Sequence, residues 1–333
     1  MTESSYNHFG IVGGGAWGVA LGIALLRAGR HVTLWARSEE VVAVINTRHE
    51  NPAYLPGIPL DHALFATTDR AALQECDVLL LTPPAQHLRG VTASLFPRPE
   101  TPLIIGSKGI EQGTLMLMSE VVAAVLPQHP IGVLSGPTFA AEVARGLPAA
   151  VTLAMRDQDI GKQLIQAMGS RSLRPYLSDD IAGTQIGGAV KNVLAIACGI
   201  VEGRGFGDNA RAAIMTRGLS ELTRLGRALG GKMETFMGLS GMGDLVLTCA
   251  GAQSRNMSLG YALGQGRALD DILAERRSVA EGVSTASAAV ARAAAHGVEL
   301  PICAAVDRIL NQGAAIEDEI SALLTRPLRN EGA

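Results

Sequence analysis

Phe9-Gly10-Ile11-Val12-Gly13-Gly14-Gly15-Ala16-Trp17-Gly18 decides the fold of this chain. A short aliphatic run breaks into three glycines and passes at once into an apolar stretch of helical length, which reaches about Ala28 before Gly29 supplies a stop. A second β-rich run, His31-Val32-Thr33-Leu34-Trp35, follows. Glycines at Gly13, Gly15 and Gly18 let the turn tighten and let backbone approach a pyrophosphate, whose charge is met by the free N–H groups at the helix start. The spacing alone is weak. Strand, glycine turn, helix and second strand in that order make it a dinucleotide site, against the alternative of a glycine-rich turn that binds nothing. At the end of the second strand, where an acidic residue would grip the adenine ribose of NAD, stands Ala36-Arg37-Ser38. Arginine cannot accept the ribose hydroxyls but can pair with a 2′-phosphate, so NADPH is favoured, the alternative being a solvated surface arginine. Glu39 and Glu40 read as the first turn of the next helix, where carboxylates suit the dipole.

The alternation continues outward from there through Asp77-Val78-Leu79-Leu80-Leu81, Pro102-Leu103-Ile104-Ile105, Ile131-Gly132-Val133-Leu134 and Ala150-Val151-Thr152-Leu153. Strands alternating with helical stretches predict a mostly parallel, doubly wound sheet with helices on both faces. From about Asp180 the strand signal fades into Ala/Leu/Gly-rich helical stretches such as Ala210 to Leu229 and Val283 to Ala295. The fold class is therefore α/β, with a Rossmann-type dinucleotide domain at residues 1–180 and an all-α substrate domain at residues 181–333. The ligand cleft is expected at their junction. Two domains also suit 333 residues, more than one compact core usually takes.

Composition narrows the function classes. Hydrophobic residues at 47%, charged residues at 18% and a net charge of −3 give no electrostatic bias towards nucleic acid or an anionic membrane, which leaves small-molecule partners, with a second copy of the chain admitted as a homodimer. Cys76, Cys198, Cys249 and Cys303 lack any CxxC spacing and read as reduced packing residues. The seven histidines are dispersed, so no metal is expected. Met1 to His8 lacks a signal pattern, and no apolar run reaches the roughly 20 residues that span a bilayer, so the expected location is cytoplasmic.

Chemistry is expected at Lys191. Together with Asn192 it interrupts the small, apolar run from Gly187 to Ala197. Burial of an unpaired ammonium is costly and lowers a lysine pKa towards the range of a general acid/base, whereas a snorkelling lysine would carry its head back to water. Three more polar clusters stand in apolar or glycine-rich surroundings: Gly106-Ser107-Lys108-Gly109, Ser135-Gly136-Pro137-Thr138-Phe139, and Gly241-Met242-Gly243-Asp244 followed by Thr248 and Gln253-Ser254-Arg255-Asn256. Lys108 directly follows a strand and so lies at the carboxyl edge of the sheet, where open α/β folds bind ligands. Arg255, between two hydrogen-bonding side chains, suits a phosphate. The alternative for Asp244 is a helix N-cap after glycines and for Ser254-Arg255-Asn256 a solvated turn, while Arg276 reads as part of a solvated face.

The ordered blocks GGGAWG (13–18), SKGIEQGT (107–114), SGPTFAAEVARGLPAAV (135–151), GGAVKNVLAIACGIVEGRGFGDNARAAIMTRGL (187–219), GLSGMGDLVLTCAGAQSRN (238–256) and VAEGVSTA (279–286) resemble the bacterial NAD(P)-dependent sn-glycerol-3-phosphate dehydrogenases, from about His8 to about Gly313. The resemblance implies a 6-phosphogluconate-dehydrogenase-like fold that interconverts dihydroxyacetone phosphate and sn-glycerol 3-phosphate and feeds phospholipid synthesis. It aligns Lys191 with the proton donor and acceptor and Lys108 with a residue touching substrate and cofactor. Gly136, Thr138, Asp244, Ser254, Arg255 and Asn256 fall at substrate positions. Ala16, Trp17, Arg37, Ala140, Arg255, Val279 and Glu281 fall at cofactor positions. Ala16 and Arg37 are the variable spots, and they leave the balance between NADH and NADPH open. In the same chemistry Lys108 and Asp244 would tune Lys191 in opposite directions, and Thr248 and Asn192 could bind substrate oxygens. The rivals are a β-hydroxyacid or ketopantoate-type reductase, distinguished by what Arg255 recognises, and a dinucleotide-sensing regulator without turnover, which has no need of Lys191.

Overall fold

The computed structural model describes residues 6–251, 253–276 and 280–327. Eight strands form one sheet: β1 (His8–Val12), β2 (His31–Trp35), β3 (Phe65–Thr67), β4 (Val78–Leu81), β5 (Leu103–Ile105), β6 (Ile131–Ser135), β7 (Ala149–Met155) and β8 (Leu173–Ser178). Their order is β3-β2-β1-β4-β5-β6-β7-β8. Every adjacent pair is parallel except β6 and β7. Strands β4 and β5 are buried at every residue, as parallel strands covered on both faces must be, which is why they read as unbroken apolar runs. One face is covered by helices Ala16–Arg27 and Gln158–Met168, the other by Leu88–Thr92 and Met118–Val125.

The sequence reading misses two strands, both at the sheet's edges. β3 has three residues and exposes Phe65, too short a run to show a period. β8 contains Arg174 and Pro175, which argue against a central strand but are tolerated at an edge. The chain order reverses between β1 and β4, so the carboxyl ends of these two strands flank a switch point where ligands of such sheets bind.

Beyond β8 the chain is helical. Helix Ile181–Gly203 runs through the middle of the second core, and every residue from Gly183 to Val201 is buried. By length and composition it could cross a bilayer, contrary to the expectation that no run is long enough; 89% of its apolar window is covered by protein. Its N-cap is Asp180, whose carboxylate accepts from Gly183 N and Lys232 N, both at 2.8 Å. Helix Arg255–Gly264 presses against it through small residues. A Cβ at Gly199 would come within 2.1 Å of the Met257 carbonyl oxygen, and one at Gly260 within 2.1 Å of the Ile196 oxygen. This contact of backbone on backbone brings Asn256 to Asn192.

Candidate active site

The carboxyl edge of the sheet meets the central helix at Lys191. Two glycines one turn earlier make the approach close. A Cβ at Gly187 would lie 2.1 Å from the Ser240 carbonyl oxygen, and one at Gly188 would lie 2.7 Å from Ser135 Oγ and 3.4 Å from the Lys108 stem. The segment Leu239–Gly243 is a wide, π-helical turn, a geometry that recurs at functional sites, and it delivers Asp244 as the first residue of helix Asp244–Ala250. Gly243, not Asp244, holds the N-cap position, which leaves the carboxylate free to turn inward.

There Asp244 sits between two ammonium groups. Lys191 Nζ donates to Oδ1, and Lys108 Nζ donates to Oδ2 at 2.6 Å. Asp244 is 0% exposed and Lys191 6%, so snorkelling is not the resolution here. Lys191 also donates to Thr248 Oγ1 at 2.8 Å, and that hydroxyl in turn donates to the Asp244 carbonyl at 2.6 Å. Lys108 reaches the Gly136 carbonyl at 3.5 Å, which ties the β5 and β6 edges to the cluster. Burial lowers the Lys191 pKa from its ordinary value to about 8; the neighbouring Lys108 charge lowers it too, while Asp244 opposes both.

The other substrate-position residues sort by how they are held. Thr138 donates back to the Gly136 carbonyl at 3.2 Å. Ser254 caps helix Arg255–Gly264 by accepting from Met257 N at 3.2 Å. Asn256 donates to Asn192 Oδ1 at 3.0 Å and accepts from Gly282 N at 3.1 Å, and Asn192 donates to the Gly188 carbonyl at 3.3 Å. Asn192, Thr248 and Asn256 thus fasten four helices around the lysine, Ile181–Gly203, Asp244–Ala250, Arg255–Gly264 and Glu281–Ala295. Arg255 alone of its triplet is exposed, and its guanidinium makes no hydrogen bond or ion pair within the described residues. Arg276, expected on a solvated face, is instead half-buried and donates to the Arg255 carbonyl at 2.7 Å and to Ser258 Oγ at 3.1 Å.

A dinucleotide fits the glycine edge. Helix Ala16–Arg27 begins at Gly15 with no side-chain cap on its first N–H groups, and the space where a Gly15 Cβ would stand is open. Gly13 has φ of +129°, and a Cβ at Gly18 would lie 2.0 Å from the Gly13 oxygen, so the turn requires glycine at both. Asn51, left without a role in the sequence reading, donates to the Gly14 carbonyl at 3.0 Å and braces the turn. Trp17 Nε1 and Glu281 Oε2 are buried without a partner among the described residues. Glu281 Oε1 accepts from Ala85 N at 3.2 Å, and burial pushes its carboxyl up to about 7. Ala140 opens helix Ala140–Arg145, which packs against helix Ala16–Arg27. Arg37 is exposed just past β2, while Ser38 caps helix Glu39–Arg48, whose first turn holds Glu39 and Glu40 as expected. Val279 lies outside the described residues. The sequence reading gave no role to Ser135 or Thr285, two buried hydroxyls at this junction without a partner among the described residues. Their only signal is that they stand inside the quoted blocks.

Comparison with known proteins agrees over the whole length. The pattern described as NAD-dependent glycerol-3-phosphate dehydrogenase N-terminus matches residues 8–161, and its C-terminal counterpart matches residues 180–321. Glycerol-3-phosphate dehydrogenase, NAD(P)+, of Rhodospirillum rubrum is 58% identical over 98% of this chain and 94% of its own. That of Parvibaculum lavamentivorans is 54% identical over 98% and 99%. The crystal structure of glycerol-3-phosphate dehydrogenase from Coxiella burnetii superposes with a TM-score of 0.92 at 38% identity, covering 96% of this chain and 99% of that one. A ketopantoate reductase from Ralstonia eutropha, at 15% identity and a TM-score of 0.58 over 94% and 99% of the two chains, shares the fold alone. The chain belongs to the NAD-dependent glycerol-3-phosphate dehydrogenase family.

Proposed function

We propose that this chain interconverts dihydroxyacetone phosphate and sn-glycerol 3-phosphate with NADPH or NADH, in the cytoplasm, supplying glycerol 3-phosphate for phospholipid synthesis. The observation that carries it is a buried lysine, paired with Asp244 and Thr248, where the cofactor edge meets the helical core. Bound at that edge, the dinucleotide supplies the hydride. Reduction of the ketone builds negative charge on the carbonyl oxygen, and Lys191 gives it a proton while the Lys108 charge stabilises the oxyanion. In the reverse direction the neutral Lys191 amine takes the proton from the hydroxyl. Asp244 keeps both lysines in place, and Arg255 holds the phosphate. The deciding assay compares NADPH consumption with dihydroxyacetone phosphate against a panel of 2-keto acids; faster turnover of any keto acid would sink this reading.

The direction of the Lys191 shift sets the pH dependence. The ammonium is the donor, so kcat/KM for reduction is level below about pH 8 and falls above it, while oxidation rises through the same region. Asp244→Asn removes the group that raises this pKa, so both breaks move to lower pH. A break that stays in place in the Asn variant would show that another group titrates.

Arg37 sets the cofactor balance in this reading. Arg37→Asp places a carboxylate against the 2′-phosphate and weakens NADPH more than NADH. Equal changes in the two KM values would show that Arg37 does not reach the ribose.

A further inference from the structure

The structure places a second arginine at the same corner. Trp35, the last residue of β2, pairs in register with Val12 of β1 on one side and Thr67 of β3 on the other. Its carbonyl accepts from Gly13 N at 2.9 Å, so it adjoins the glycine turn directly. The next amide, Ala36 N, donates to the Thr67 carbonyl at 3.0 Å, and the indole Nε1 donates to the Thr68 carbonyl at 2.9 Å. Only 5% of Trp35 is exposed, and the Arg70 guanidinium carbon lies 4.8 Å from its ring centroid. Arg70 opens the short helical turn after β3, is itself exposed, and its guanidinium makes no hydrogen bond or ion pair among the described residues. A flexible, charged side chain is thereby seated over a rigid aromatic at the carboxyl edge.

We infer that Arg70, held on Trp35, is a specificity-determining residue that meets the adenosine 2′-phosphate of NADPH together with Arg37. The inference rests on the proposed placement of the ribose at the end of β2. A pyrophosphate at the Gly13–Gly15 turn on the β1 side would leave the ribose further along the edge towards β3, where Arg37 and Arg70 follow the ends of β2 and β3. Two guanidiniums with no protein carboxylate of their own supply the charge and the planar forks that a phosphate dianion takes and a ribose hydroxyl does not. The contact with the Trp35 ring favours this position of the Arg70 head beforehand, so less of its freedom is lost on binding.

Arg70→Gln removes the charge at an exposed site, and Arg70→Lys keeps the charge but not the flat face. Titration calorimetry with NADPH, NADH and adenosine 2′,5′-bisphosphate reads the effect without turnover. The expected result for Arg70→Gln is about 10-fold weaker binding of NADPH and of the bisphosphate, with NADH changed less than about twofold and Arg70→Lys intermediate. Equal weakening of NADPH and NADH would mean that the guanidinium stacks on adenine or only props up the edge, and would overturn the assignment, as would no change at all. Arg37→Asp is titrated alongside. If it alone shifts the ratio of NADPH to NADH affinity, the Arg70 proposal fails and the Arg37 reading stands; if Arg70→Gln alone shifts it, the phosphate is held from β3 and the Arg37 reading fails.

Discussion

Lys191→Met is expected to fold, to bind NADPH as the parent does, and to lose at least about 100-fold in kcat, the scale on which a positioned general acid/base contributes. The position favours the substitution. Lys191 lies in a helix buried from Gly183 to Val201, so an unbranched apolar chain of similar length fits where the lysine stem ran. Asp244 keeps its 2.6 Å bond from Lys108, and Thr248 keeps its bond to the Asp244 carbonyl, so no carboxylate is left wholly unpaired. What disappears is the proton. Circular dichroism and NADPH titration establish that the variant is folded and loaded. A folded, cofactor-binding variant with the parent kcat would remove Lys191 from the chemistry and turn attention to Lys108.

How far such a site is legible before folding depends on what each residue needs. Lys191 announces itself because an ammonium in a run of small apolar residues requires a partner. Its partner does not, because Asp244 lies 53 residues further on and no local period connects them; only the resemblance brought the two together. The glycine turn is legible because strand, turn and helix are contiguous. The π-helical turn at Leu239–Gly243 is not, since a single wide turn leaves no repeat in the sequence, and the glycines there predict flexibility as readily as close approach. Ser254 and Asn256 illustrate the opposite limit. Their polar chemistry is plain in the sequence, yet in the fold it caps a helix and joins Asn192 to Gly282, whereas Arg255 between them stays exposed. Arg276 misleads for the same reason: a charged residue in a polar stretch reads as solvated until its acceptor, the Arg255 carbonyl, is in place.

That arrangement shapes the second large effect, at Arg255. Because Ser254 caps the helix and Arg276 holds the Arg255 carbonyl, the position of the Arg255 backbone does not depend on its own side chain. Arg255→Ala should therefore leave the fold intact and remove only a guanidinium. A charge-assisted hydrogen bond contributes about 1.5–3 kcal/mol, so the KM for dihydroxyacetone phosphate should rise about 10- to 150-fold. Arg255→Lys should also raise it, by less, because a lysine cannot make the two parallel bonds with which a planar fork grips a phosphate. Unphosphorylated dihydroxyacetone lacks the group Arg255 recognises, so its turnover should change little. The selectivity is what tests the assignment. Arg255 also stands close enough to Glu281 for its charge to hold that carboxyl down against burial, so an effect on the cofactor would come through the same residue. Should Arg255→Ala depress both substrates by one factor, the guanidinium serves the cofactor side or the helix, and the phosphate must be held by another group in the cleft.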